Sequence, residues 1–79
     1  MARPRYPELN RQLLERSRRR QGLTLGDVAA RCHALGDMGV DEIALSRYER
    51  GILRPNPRRL PVIAEALGLT VDDLLAVAA

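Results

Sequence analysis

Apolar residues in this chain recur at intervals of three and four, and the alternating runs rich in valine, isoleucine and aromatics that build strands are missing, so the pattern predicts helices throughout. The first helix is expected from Pro7 or Glu8 to Gln21, with Leu9, Leu13, Leu14 and Ser17 near one face. Proline suits a first helical turn, and Gly22 suits a left-handed exit. The second begins at Leu25: Thr24 is a good cap, and Asp27 stands where the acid of a capping box belongs. Its inward stripe reads as Leu25, Val28, Cys32 and Leu35, after which Gly36-Asp37-Met38-Gly39 forms a loop.

A third helix, capped by Asp41, runs to about Arg50 and stops at Gly51. Ala44, Leu45 and Tyr48 face inward; Glu42, Ile43, Ser46, Arg47 and Arg50 take the opposite face. Ile43 is then an apolar residue on a polar face, which suits a contact surface better than a solvated one. Ile52 to Pro57 is a turn containing Pro55 and Pro57. A fourth helix is capped by Asn56 or starts nearer Pro61, and buries Leu60, Ile63, Ala64 and Leu67 at i, i+3, i+4 and i+7 before Gly68 closes it. Thr70 with Asp73 caps a short fifth helix, in which Leu74 and Leu75 pack back. The expected fold class is all-α: a compact five-helix bundle, over residues 8–75, containing a helix-turn-helix. Residues 1–7 form a basic arm and 76–79 a short tail.

Charge sharpens this picture. All 13 basic residues are arginine, against 10 acids. Residues 1–22 hold Arg3, Arg5, Arg11, Arg16, Arg18, Arg19 and Arg20 against Glu8 and Glu15, and residues 45–59 hold five more arginines against Glu49; beyond Arg59 only Glu65, Asp72 and Asp73 are charged. A basic first half and centre with an acidic tail fits a polyanion-binding face. The arm Ala2-Arg3-Pro4-Arg5-Tyr6 is basic and proline-stiffened, and either reaches along a groove or is a disordered start. Cys32 cannot form an internal disulfide and is read as a small core residue. It neighbours His33 with no second ligand pair, so neither a metal site nor a catalytic centre is expected, and no cofactor. No signal peptide and no membrane span is read, and the protein is expected to be cytoplasmic.

Several short pieces in fixed order carry a family resemblance: Arg18-Arg19-Arg20-Gln21-Gly22-Leu23-Thr24, then Val28-Ala29, Val40, Leu45-Ser46-Arg47-Tyr48-Glu49-Arg50-Gly51, Pro55, Leu60, Ile63-Ala64-Glu65-Ala66-Leu67-Gly68-Leu69 and Val71-Asp72-Asp73-Leu74-Leu75. Each is weak alone. Together, from about Leu14 to Leu75, the chain resembles the Cro/C1-type (XRE) helix-turn-helix family. The resemblance implies a lambda repressor-like DNA-binding fold whose third helix lies in the major groove, with base-reading positions at Glu42, Ile43, Ser46 and Arg47. It also implies an internal salt bridge between Arg18 and Glu49. Two departures stand out: Leu25 replaces the glutamine usual after the capping threonine, and the stretch between the second and third helices is lengthened by about His33 to Gly39.

Arg47 suits guanine O6 and N7, Ile43 a thymine methyl, and Glu42 either cytosine N4 or simply the helix macrodipole. Phosphate contacts are expected from Arg50, Arg54, Asn56 and Arg58, and from Thr24 at a helix N-terminus. The reading is a sequence-specific regulator binding double-stranded DNA, a repressor acting as a homodimer, with the Leu74-Leu75 edge as the expected dimer surface. The competing reading is a protein-interaction module, such as an antitoxin or adaptor, using residues 33–39. Non-specific nucleoid or single-strand binding is the third, weakened by having only Tyr6 and Tyr48 as stacking platforms.

Overall fold

A computed structural model describes residues 8–75. The arm at 1–7, including Pro7, and the tail at 76–79 lie outside the described residues. Five α-helices follow one another without a strand among the described residues: α1 (Arg11–Arg20), α2 (Leu25–Ala34), α3 (Glu42–Glu49), α4 (Leu60–Leu67) and α5 (Val71–Leu75), with a 3-10 turn at Pro57–Arg59 leading into α4. None is long and apolar enough to cross a membrane.

The caps explain most boundaries. The Thr24 hydroxyl accepts from the Asp27 amide at 3.0 Å, and the Asp27 carboxylate accepts from the Thr24 amide at 2.8 Å. Thr70 and Asp73 repeat this reciprocal pair at α5. Asp41 caps α3 by accepting from the Ala44 amide at 2.7 Å. Asn56 accepts from the Arg58 amide, so both expected starts of the fourth helix are present: Asn56 caps the 3-10 turn, and the α-helix itself begins at Leu60.

α1 starts later than the sequence suggests. Asn10, not Pro7, sets its origin: its side chain accepts from the Leu13 amide at 3.2 Å, while its own amide donates to the Leu74 carbonyl at 2.7 Å. That second bond ties the start of α1 to α5 and leaves Glu8 and Leu9 outside the helix, with Leu9 still in the core.

α2 packs against α3 and α4, α1 against α3 and α5, and α4 against α5. Leu14, Val28, Cys32, Val40, Leu45, Ile63 and Leu74 fill the centre. Two expectations fail here. Leu35 is not part of the inward stripe; it follows the last turn of α2, where the chain turns away at Gly36, and is 42% exposed. Leu74 is fully buried in its own subunit and so cannot form a dimer surface, which leaves only the half-buried Leu75 of that edge.

The base of the bundle is closed by two side chains from the first two helices. Gln21 Nε2 donates to the Leu67 carbonyl at 2.8 Å and Arg31 Nη1 to the Ala66 carbonyl at 3.1 Å, satisfying the C-terminal end of α4.

Candidate nucleic-acid interface

α3 is held by its inner face. Leu45 and Tyr48 are buried and Ala44 is half-buried, so the 3.6-residue period turns Glu42, Ile43 and Arg47 outward and leaves Ser46 half-exposed. Ile43 is 63% exposed, an apolar side chain with no packing reason to be there. Leu25, Glu42, Ile43, Ser46 and Arg50 line a shallow groove of about 290 Å³ along this helix, so Leu25, the residue departing from the family pattern, closes one side of it.

Arg18 and Glu49 brace α3 against α1. Arg18 Nε donates to Glu49 Oε2 at 2.7 Å and Nη2 to Oε1 at 3.0 Å, while Nη1 donates to the Leu23 carbonyl at 2.9 Å. The two side chains are 14% and 9% exposed. The hydrogen bond to Glu49 raises the Arg18 guanidinium above its ordinary value, against the opposing effect of burial. Both groups are committed to each other and to the turn before α2.

The phosphate candidates differ in how free they are. Arg50, Arg54 and Arg58 are exposed around the exit of α3 and the start of the 3-10 turn, and Asn56 is half-buried with its carbonyl oxygen capping that turn. Thr24 is exposed, but its amide is taken by Asp27, whose carboxylate that bond, and then the Thr24 hydroxyl, hold below its ordinary range. The Glu42 carboxylate also lies against the first turn of α2, its Oε2 3.8 Å from where a Cβ on Gly26 would sit. Two carboxylates therefore stand at a helix N-terminus that would otherwise favour a phosphate.

The lengthened α2–α3 connection is a fastened loop. Asp37 Oδ1 accepts from the Gly39 amide at 3.0 Å and pairs with Arg59 Nη1 at 3.5 Å. The Arg59 guanidinium occupies the space where a side chain on Gly39 would lie, so a larger residue there would push Arg59 aside and disturb its pairing with Asp37. Val40 plugs the core, while Met38 is 70% exposed. Sequence reasoning left Arg59 as general basic charge; its partner Asp37 is distant in the chain, with no local pattern linking them.

Cys32 is fully buried, and desolvation, then the Asp37 charge, push its thiol up to about 11. It stays protonated at neutral pH and is a poor nucleophile. The neighbouring His33 Nε2 is buried without a hydrogen-bond partner. No group of three or more potential metal-ligating side chains occurs among the described residues.

A family model described as a helix-turn-helix domain matches residues 11–77. No curated protein and no solved structure matches the chain.

Proposed function

Because the chain belongs to the helix-turn-helix domain family, of Cro/C1 type, we propose that it is a sequence-specific, double-stranded DNA-binding transcriptional regulator. The observation that carries this reading is the outer face of α3. Glu42, Ile43 and Arg47 project from a helix fixed on its other side by Leu45 and Tyr48, and exposed arginines flank its exit. In this reading α3 enters the major groove. Arg47 bridges guanine O6 and N7, Ile43 meets a thymine methyl, Glu42 accepts from cytosine N4, and Ser46 makes a shorter polar contact. Arg50, Arg54, Arg58 and Asn56 hold phosphates; Thr24 is the weaker candidate, given the carboxylates around it.

The protein acts as a homodimer on a two-fold-related operator with half-sites about one helical turn apart. One α3 reads too few base pairs to single out a genomic site, and a second copy doubles the readout. Repression by occluding the promoter is the simplest consequence. The test is selection of bound sequences from a random duplex library by wild type and by Arg47→Ala. Wild type enriches a motif containing guanine, and Arg47→Ala loses the preference at that base, a discrimination of about 1–3 kcal/mol. Failure of wild type to enrich any motif at physiological salt refutes the reading.

A second reading, a protein-interaction module, draws on one observation: Leu35 and Met38 are exposed on the α2–α3 connection. It requires a partner that binds through residues 33–39 and no selective duplex binding.

A further inference from the structure

We infer that Arg11, the first residue of α1, completes a phosphate-binding pocket with Arg50 and Arg54, and that this pocket takes a DNA backbone phosphate beside the exit of α3. The inference rests on the DNA-binding reading and extends the interface to an element that the reading leaves out.

A concavity of about 470 Å³ lies between the start of α1 and the turn after α3, lined by Arg11, Arg50, Arg54, Tyr48, Leu53 and Glu8 among others. Arg11 spans it. Its Nη1 donates to the Arg50 carbonyl at 2.8 Å, at the C-terminal end of α3. Its guanidinium lies over Gly51, whose φ is +73°; a Cβ there would sit 2.6 Å from Nη1. Glycine at 51 thus serves the left-handed exit and makes room for Arg11 as well. A guanidinium has five N–H donors in a planar fork, so this single bond leaves Arg11 with donors to offer.

The three cations have no carboxylate of their own. Among the described residues, ion pairs are made by Arg18, Arg19 and Arg59 instead. Arg50 makes only a weak bond from Nε to the Ser46 carbonyl at 3.4 Å. Glu8 is the one acid lining the pocket, against three guanidiniums. Converging like charges of this kind favour an anion that accepts several N–H bonds at once, and a phosphodiester presents two unesterified oxygens for that purpose. All three arginines are exposed, so the pocket has no buried polar grip on a small free anion. A phosphate delivered by a duplex already seated on α3 needs none, since the rest of the interface fixes its position.

Arg11 also helps to close α3, so the test must separate bracing from binding. Arg11→Gln keeps a donor for the Arg50 carbonyl and removes the charge; Arg11→Ala removes both. Affinity for the selected duplex is measured against salt for wild type, both variants and Arg54→Ala. Each variant should weaken binding similarly on selected and random duplexes, and the slope of log K against log salt should become shallower by about one. In parallel, a series of duplexes carrying one neutral methylphosphonate each locates the phosphate. One substitution should weaken wild type clearly more than it weakens Arg11→Gln. An unchanged slope and an identical methylphosphonate profile in Arg11→Gln, with wild type still selective, overturn the inference alone. Loss of all wild-type selectivity instead overturns the DNA-binding reading. Calorimetric titration with inorganic phosphate at physiological salt should show no binding; saturable binding at micromolar concentration, lost in Arg11→Gln, would assign the pocket to a free anion and overturn the backbone assignment.

Discussion

Arg18 carries charge like its neighbours Arg19 and Arg20, yet its hydrogen bonds to Glu49 and to the Leu23 carbonyl commit it to the interior. Removing one partner of so enclosed a pair strands the other. Arg18→Ala should destabilise the fold by about 3 kcal/mol in chemical denaturation, and a cycle with Glu49→Ala should show strong coupling; a cost near that of an exposed pair, below about 1 kcal/mol, would contradict the enclosure. Cys32 gives a pH dependence whose sign can be worked out. Its folded value of about 11 lies above the ordinary 9.0, so its contribution is fully present below pH 9 and is lost as pH rises through 11. Wild type should therefore lose on the order of 2 kcal/mol more than Cys32→Ala over that window. At this scale the sequence tells residues apart only when their partners are local or a family pattern marks them. Arg18 and Glu49 were legible through the resemblance. Arg11 was not, because its partner is the backbone of residue 50, and no spacing rule connects positions 11 and 50.

Elements were legible where their ends are written locally. Thr24 with Asp27, Asp41, and Thr70 with Asp73 all lie within one turn of what they cap, and each boundary could be read in advance. The start of α1 was not, because the amide of Asn10 is drawn to Leu74 at the far end of the chain. Leu35 was misplaced for a related reason: an i+3 stripe holds only while the helix continues, and here it stops at Ala34. The same logic divides the α2–α3 connection into an anchor and a tip. Val40→Ala should cost about 2 kcal/mol by emptying a fully buried site. Met38→Ser, at an exposed tip, should change stability by less than about 0.5 kcal/mol. Thermal unfolding of the two variants checks the contrast. If the tip serves a protein partner, Met38→Ser abolishes that binding in a fully folded protein, whereas a DNA regulator keeps its motif.

At the scale of the described residues, α4 and α5 carry only acidic charges, while the arginines lie on and between the earlier elements. Arg11, Arg50 and Arg54 gather where the start of α1 meets the exit of α3, with Arg58 exposed on the 3-10 turn beyond, whereas Glu65, Asp72 and Asp73 lie on exposed positions of α4 and α5. This segregation was visible in the sequence as a gradient, but the meeting of Arg11 with Arg50 and Arg54 needed the packing of α1 on α3. It turns salt dependence into a count of subunits on DNA. One phosphate in the Arg11–Arg50–Arg54 pocket and a second at Arg58 correspond, per subunit, to a slope of log K against log salt of about −1.8, at about −0.9 for each phosphate neutralised. A single subunit on a half-site should show that value, and a homodimer on a two-half-site duplex should show about twice it, because the second subunit brings its own two phosphate sites. Fluorescence anisotropy titrations on half-site and full-site duplexes over a range of salt concentrations measure both slopes. Equal slopes on the two duplexes would mean that one copy binds at a time, and the two-fold arrangement would have to be abandoned while the reading of α3 stood.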